Sequence, residues 1–264
     1  RSFHELQEFV RNQVREVHGY PVLIIKKEEI TMKEEYLDNI VVDGLDETYA
    51  TNMDVDDVVS PSVMLVDFII DRTGSMHMYE HVMQECLEHY KQAICNSKQA
   101  DEMLVSKTLF NTTIETGGYV APEDFNTDYF TWGCTRMYDA IIDRRQRMLD
   151  YMEQLKNNGT NARACMIILS DGLDNDSQYR ASDARQAIQD LISKEITVAF
   201  IAFGQEAFGV ADKIGIKPQN VKEVSNDESE LRRVIDLVSK SAISASKKAS
   251  SGAGGTADGG FFDV

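Results

Sequence analysis

Five oxygen-bearing side chains stand where short segments of the sequence give way to loops. They are Asp71, Thr73, Ser75, Thr135 and Asp171. Hydroxyl and carboxylate oxygens are hard donors, which Mg²⁺ and similar divalent cations prefer in proteins. The set is too small to saturate an ion, so a coordination position can stay open for an outside ligand. These residue types predict a divalent-cation site, with Mg²⁺ expected first and Mn²⁺ or Ca²⁺ as alternatives.

Continuous apolar segments of strand length lead into both carboxylates. Residues 63–70 precede Asp71, and residues 165–169 are followed by Ser170 and Asp171. Such segments are typical of strands buried on both faces, and amphipathic segments with helical spacing separate them. The predicted fold is therefore α/β: a Rossmann-like, doubly wound, mostly parallel sheet with helices on both faces. Ligands bind at the carboxyl ends of the strands in such folds, which brings both aspartates to one edge.

The same periodicity predicts the remaining elements. Further strands are expected over 103–110, 113–116, 197–203 and 221–224, and helices over 78–96, 135–156, 183–193, 207–214 and from 227 or 229 onward. A simpler interpretation of residues 71–75 is a capped helix N-terminus, where Asp, Ser and Thr are favoured. That interpretation does not explain why Thr135 and Asp171 are expected at the same edge of the sheet.

The pattern resembles the metal-ion-dependent adhesion site (MIDAS) of the von Willebrand factor A (vWA) family, written DxSxS, then a distant Thr, then a distant Asp. Residues 71–75 read Asp-Arg-Thr-Gly-Ser, Thr135 follows Gly-Cys, and Asp171 precedes a glycine. The resemblance covers residues 62–245 and implies a stand-alone intracellular member of bacterial type. Two positions depart from the pattern: Thr73 replaces a serine but keeps the hydroxyl, and Cys134 replaces a glycine.

The resemblance also implies a role for each residue. Thr73 and Ser75 bind the metal directly, Thr135 can do so, and Asp71 and Asp171 often act through water. A partner protein supplies an Asp or Glu to the open position, so the expected function is a metal-dependent protein–protein interaction module or scaffold. Because both residues are expected in a loop on the rim, Asp71→Ala and Ser75→Ala are predicted to abolish partner binding and leave the fold intact.

Two other functions compete with this one. A metal-dependent hydrolase or phosphotransferase would need a base or nucleophile, and His77 is the one histidine close to the metal loop. No GxxxxGK[ST] loop is present, and Ser170 is not in a GxSxG elbow. A nucleic-acid-binding protein is the less favoured alternative. We therefore expect no enzymatic activity.

Net charge and cysteine usage indicate which partners and which cellular compartment to expect. The formal net charge of −17 disfavours both nucleic acid and membrane surfaces as partners. Arg144, Arg145 and Arg147 form the one basic cluster, which we interpret as a solvated helix face because Asp143 and Asp150 accompany it. The four cysteines form no CxxC pair, which favours free thiols in a reducing compartment and a cytoplasmic location.

Composition divides the chain into three parts. Residues 1–60 are expected to be an acidic extension with a helix from Ser2 to about His18, a strand over 20–25, a short helix over 32–40 and a linker over 43–59. Residues 61–247 form the vWA-like domain, and 248–264 a flexible glycine-rich tail. Phe261 and Phe262 in that tail are either a docking motif, disordered, or a cover for an apolar patch.

Two loops near the predicted site leave alternatives open. Asp174, Asn175 and Asp176 follow the last predicted ligand. They either tune the rim of the site, bind a second cation or form a solvated helix start, and the last interpretation is favoured. The aromatic residues Tyr129, Phe130 and Trp132 precede Thr135. They are either an exposed contact surface beside the metal or packed beneath the loop.

Overall fold

The computed structural model describes residues 14–17, 20–26, 41–43, 47–172, 174–224, 228–250 and 260–263, with side chains from residue 50 onward except at 205–206 and 248–250. Its strands are β1 (Val14–Val17), β2 (Tyr20–Lys26), β3 (Val41–Asp43), β4 (Glu47–Tyr49), β5 (Ser62–Asp71), β6 (Met103–Phe110), β7 (Ile114–Thr116), β8 (Asn161–Ser170), β9 (Thr197–Phe203) and β10 (Val221–Val224). Its α-helices are α1 (Glu80–Cys95), α2 (Met137–Asn157), α3 (Ala181–Ser193), α4 (Gln205–Lys213) and α5 (Glu228–Ser250).

The main sheet has seven strands in the order β10-β9-β8-β5-β6-β7-β4. Strands β10, β9, β8, β5 and β6 run parallel, and β7 turns back antiparallel to β6. The central pair β5 and β8 is aligned so that Ile70 lies opposite Leu169. This register brings the residues that follow, Asp71 and Ser170, to the same edge of the sheet.

Both faces of the sheet are covered, because residues along a strand alternate between the two sides. Val66, Phe68 and Ile70 of β5 face an apolar cluster shared with α1 and α5. Leu65 and Ile69 face a second cluster shared with α2, α3 and α4. The expected doubly wound α/β architecture is confirmed. The predicted central elements agree with the structure to within a few residues at each end.

The N-terminal boundary differs from the expectation. Residues 43–59 were expected to be a linker, but β4 pairs with β7 and forms the edge of the main sheet. The segment after β4 also packs on the domain: the Tyr151 hydroxyl donates a hydrogen bond to the Met53 carbonyl, and the Tyr119 main-chain N–H donates one to Asn52 Oδ1. A three-residue strand is too short to carry a periodic signal, so sequence patterning placed the boundary near residue 60.

Residues 14–17, 20–26 and 41–43 are described by their backbone alone. Val14–Val17 is a strand paired with β2, so the helix expected to reach His18 is wrong for those residues. The strand expected over 20–25 is present as β2. The start of the expected N-terminal helix and the whole of the helix expected over 32–40 lie outside the described residues.

A buried ion pair replaces part of the expected basic surface. Arg144 on α2 is 1% exposed, and its Nε donates to Asp67 Oδ2 in the middle of β5. Tyr119 donates to the same oxygen at 2.8 Å, and the Arg144 guanidinium lies 4.5 Å from the centre of the Tyr119 ring. The interpretation of Arg144 as part of a solvated face is therefore wrong, whereas Arg145 and Arg147 pair with aspartates nearer the surface.

The end of the chain packs against the domain. Phe261 and Phe262 are buried in the cluster beneath α1 and α5, with their rings edge to face at 5.1 Å between centroids. The Phe261 N–H donates to Asn220 Oδ1 at 2.7 Å, and Lys222 on β10 lies over the Phe262 ring. The two aromatic residues are thus a cover for an apolar patch rather than part of a flexible tail. Among the described residues, no helix has the length and apolarity needed to cross a membrane.

Candidate metal centre

Asp71, the last residue of β5, is the fixed centre of the site. Its Oδ1 accepts hydrogen bonds from the Thr73 N–H at 2.9 Å and the Thr73 hydroxyl at 2.6 Å. Its Oδ2 accepts one from the Ser170 hydroxyl at 2.6 Å, and its main-chain oxygen accepts one from the Tyr129 hydroxyl. Asp71 has no exposed surface, so it lies within a buried strand and not in a rim loop as expected from the sequence.

The hydroxyls of Thr73 and Ser75 lie 3.0 Å apart, beside the Asp71 carboxylate. Ligands about 2.1 Å from an octahedral Mg²⁺ are about 3.0 Å apart along an edge. The separation of the two hydroxyl oxygens therefore fits neighbouring positions around an ion of the size of Mg²⁺. Ser75 is exposed and Thr73 buried, so the pair is open on one side.

Asp171 follows Ser170, whose hydroxyl donates to Asp71, so the two carboxylates lie at the same edge of the sheet. The pKa of Asp71 is raised to about 6, because burial and, to a smaller extent, the negative charge of Asp171 outweigh the opposing hydrogen bonds from Ser170 and Thr73. A cation beside two carboxylates favours their charged forms. The charge arrangement at this edge is therefore one that a bound cation would stabilise.

The turn that carries Asp171 is tightly packed. Gly172 has φ of +91°, and a Cβ at that position would lie 2.4 Å from the Cα of Ala207 in α4. Its N–H donates to the Ser170 hydroxyl oxygen at 3.0 Å. Because only glycine fits both the backbone conformation and the close approach of α4, Asp171 is held against the sheet edge beside Asp71.

Thr135 belongs to a loop that hydrogen bonds to both of the other loops. The Gly74 N–H donates to the Gly133 carbonyl at 3.4 Å, which connects this loop to the Asp71–Ser75 segment. On the other side, the Thr135 N–H donates to Asn175 Oδ1 at 3.0 Å, and the Thr135 carbonyl accepts from the Asn175 and Asp176 N–H groups. The structure thus brings the three predicted ligand segments together.

The segment after Asp171 supports the Thr135 loop, a role that was missed in the sequence. Asp174 Oδ2 accepts hydrogen bonds from the Tyr138 N–H at 3.0 Å and the Ser177 hydroxyl at 2.7 Å. Asp139, beneath it, accepts from the N–H groups of Gln178 and Tyr179 and pairs with Arg136. The interpretation of this segment as a solvated helix start is therefore wrong. The Asp-x-x-Ser spacing of residues 174–177 was the available signal.

Two further polar side chains near the site, Ser170 and His77, have other hydrogen-bond partners. The Ser170 hydroxyl is buried and donates to Asp71, and the exposed His77 ring lies 3.2 Å from the Thr131 hydroxyl. Among the described residues, no three His, Cys, Asp or Glu side chains cluster as a metal site. Metal binding at this edge would therefore depend on the hydroxyls of Thr73, Ser75 and Thr135.

The aromatic loop before Thr135 divides into two parts. Tyr129 is buried beneath the site, whereas Phe130 and Trp132 are 48% and 44% exposed. Tyr129 is therefore packed beneath the loop, whereas Phe130 and Trp132 have the exposure that a contact surface requires.

Solved structures share this architecture. The pilus adhesin SpaC of Lactobacillus rhamnosus GG matches with a TM-score of 0.55 at 10% identity, over 74% of this chain and 31% of the adhesin. Proximal thread matrix protein 1 of the mussel byssus, in a structure with a zinc-occupied MIDAS motif, matches with a TM-score of 0.51 at 14% identity, over 69% of this chain and 46% of that one. Comparisons with models of protein families and with curated protein sequences found no match.

These similarities, together with the sheet order and the loops at its carboxyl edge, define the class: the chain has a vWA-type fold. The resemblance seen in the sequence is therefore confirmed at the level of the fold. The chain spans less than half the length of either solved protein.

Proposed function

We propose that the chain is a metal-dependent protein-interaction module. Its ion is held by the five residues predicted from the sequence, namely Asp71, Thr73, Ser75, Thr135 and Asp171, and a carboxylate of a partner protein completes the coordination. The observation that carries the proposal is the pair of hydroxyls of Thr73 and Ser75, 3.0 Å apart beside a fixed carboxylate. Oxygen ligands at that spacing suit Mg²⁺, and Mn²⁺ or Ca²⁺ are the alternatives.

Different residues have different roles in holding the ion. Asp71 and Asp171 supply negative charge, and the hydroxyls supply neutral oxygen ligands that leave the ion able to attract a further anion. Ser170 and Asn175 hold Asp71 and Thr135 in place through hydrogen bonds of 2.6 and 3.0 Å. The bound ion supplies the attraction for the partner's carboxylate.

The surroundings of the site support binding rather than catalysis. A hydroxyl nucleophile needs a base to accept its proton, but the buried Ser170 hydroxyl donates to Asp71, a residue assigned to the ion. His77 is exposed on the 3-10 helix Gly74–Tyr79, beside Thr131 and Glu80. We therefore propose that the protein is not an enzyme. The net charge of −17 supports a protein partner over nucleic acid, and four free cysteines support a reducing compartment such as the cytoplasm.

Calorimetric titration of Mg²⁺, Mn²⁺ and Ca²⁺ into chelator-stripped protein tests the proposal. We expect saturable binding of Mg²⁺ or Mn²⁺ by the wild type and its loss in Ser75→Ala. Ser182→Ala is the matched control, because Ser182 is an exposed serine on α3 outside the site. Absence of binding by the wild type, or equal binding by Ser75→Ala, would refute the metal centre.

A further inference from the structure

Exposed apolar side chains are concentrated around the candidate metal centre. Seven large apolar residues are exposed in the described part of the chain, and five of them lie at the carboxyl edge of the sheet: Met78, Phe130, Trp132, Tyr179 and Phe208. The other two, Val59 and Ile192, precede β5 and β9 and so lie toward the amino edge. Clustered exposure of this kind marks an interaction surface, whereas scattered exposed residues do not. We call the five residues the apolar collar.

One side of the collar is joined to the loop of Asp71. The Trp132 N–H donates to the Arg72 carbonyl at 2.7 Å, and the Arg72 guanidinium lies 5.7 Å from the centre of the indole ring. Phe130 flanks Thr131, whose hydroxyl and N–H both donate to Glu80. These contacts fix the backbone of the aromatic loop while the two aromatic rings remain about half exposed.

The opposite side is joined to the loops of Thr135 and Asp171. The Tyr179 N–H donates to Asp139 Oδ1 at 3.0 Å, in the segment that also supports Thr135. Phe208 follows Ala207, the residue packed against Gly172 beside Asp171. Each of the three ligand segments therefore has at least one collar residue next to it.

Several charged groups near the collar have hydrogen-bond or ion-pair partners. Arg72 pairs with Glu115 at 2.8 Å, Arg136 pairs with Asp139, and Glu80 accepts from Thr131. A cation at the centre would supply the attraction for an anion inside the collar. Outside it, the net charge of −17 favours a partner with a basic surface.

We propose that the apolar collar binds a polypeptide segment in which an Asp or Glu is flanked by apolar or aromatic side chains and then by basic residues. This inference rests on the proposed function, because the ion receives the carboxylate. The collar adds the apolar contact that distinguishes such a segment from any other exposed carboxylate. Trp and other aromatic residues at the centre of an interface contribute a large part of binding energy, so loss of one lowers affinity about tenfold or more.

Trp132 provides the measurement, because it is the single tryptophan of the chain and lies in the collar. Its fluorescence is followed while three capped peptides are added to Mg²⁺-saturated protein. The first peptide is Lys-Leu-Phe-Asp-Leu-Phe-Lys. The second replaces the aspartate by asparagine, and the third keeps the aspartate but replaces Leu and Phe by Ser and Gly. We expect the first peptide to bind at least about tenfold more tightly than either of the others.

Substitutions inside and outside the collar test whether its side chains account for the peptide affinity. Phe130→Ser and Phe208→Ser should each weaken the first peptide about tenfold and leave the third unchanged. Ile192→Ser removes an equally apolar exposed side chain on α3, away from the collar, and should change neither. Equal binding of the first and third peptides, or no effect of the collar variants, would overturn the collar. Calorimetry on the same samples reports Mg²⁺ binding, so a protein that binds no ion is recognised as a failure of the proposed function instead.

Discussion

The hydroxyl of Ser170 donates a 2.6 Å hydrogen bond to Oδ2 of Asp71 and so connects the carboxyl ends of the two central strands, β8 and β5. The bond also lowers the pKa of Asp71, in opposition to the burial that raises it to about 6. A residue that does not belong to the DxSxS pattern thereby helps to hold the first carboxylate in place and favours its charged form.

Ser170→Ala should therefore destabilise the protein and weaken its metal site. Removal of the donor leaves a buried carboxylate oxygen without that partner, a loss that typically costs about 1–3 kcal/mol. Urea unfolding measures the stability, and Mg²⁺ titration measures the affinity. Ser182→Ala serves again as the control. Unchanged values for both quantities would show that the Ser170 bond has no role at the site.

Asp71→Ala and Ser75→Ala should differ in their effect on folding. Asp71 is buried and accepts three hydrogen bonds through its carboxylate, so its removal leaves buried donors unpaired at a cost of roughly 2–4 kcal/mol. Ser75 is exposed, and its loss should change stability by no more than about 0.5 kcal/mol. Thermal unfolding in chelator distinguishes the two. If both variants melted at the temperature of the wild type, the expectation from the sequence that neither variant affects the fold would hold.

Arg144→Ala should be among the most destabilising single substitutions on α2. It leaves the Asp67 carboxylate buried without its cation, which typically costs about 3–5 kcal/mol. Arg147→Ala breaks the pair with Asp143 nearer the surface and should cost less than about 1 kcal/mol. Chemical denaturation of the two variants compares them directly, and similar losses would mean that the buried pair is not structurally important.

Thiol accessibility should separate the four cysteines into two pairs. Cys95 and Cys134 are exposed, whereas Cys86 and Cys165 are buried. Burial raises the pKa of Cys86 to about 11 and that of Cys165 still higher, which suppresses the reactive thiolate. A chromogenic disulfide reagent near pH 8 should titrate two thiols rapidly in native protein and four after denaturation. Rapid reaction of more than two in native protein would contradict the packing beneath α1.

Stability above neutral pH should depend on Lys107. Burial lowers the pKa of Lys107 to about 8, while Glu115 and Asp128 raise it. The folded state therefore binds fewer protons than the unfolded state between about pH 8 and the ordinary lysine pKa near 10.4, so this residue makes stability rise with pH there. The stability difference between wild type and Lys107→Met, measured by urea unfolding at pH 7.5 and 9.5, should move in favour of the wild type. A constant difference would show that Lys107 titrates normally.

The sequence was most informative where continuous apolar segments indicated buried strands. The apolar segments before Asp71 and Asp171 predicted two buried parallel strands, and their shared direction placed both carboxylates at one edge. The register of Ile70 opposite Leu169 then brings these ends side by side. The fold class and the convergence of the predicted ligand segments followed from these facts.

Contacts between polar residues that lie far apart in the sequence could not be predicted in the same way. Arg144 lies among charged neighbours that suggest a surface, and its burial follows from Asp67, 77 residues away in sequence. Asn175 resembles a loop residue until its contact with Thr135, 40 residues away, is seen. Both contacts are made by polar side chains, and polar residues carry no periodic signal of burial.

The edge positions of β4 and β10 have a mechanical consequence. The chain enters the main sheet at β4, and Phe261 and Phe262 pack near β10, the opposite edge strand, six strands away. Strands are spaced about 4.8 Å apart, so the two attachment points are separated by about 29 Å across the sheet. Tension between them would act perpendicular to the strands and load the hydrogen-bond ladders in series. Resistance would then depend on the edge contacts, and the first element to detach under load would be the aromatic pair or the three-residue strand β4.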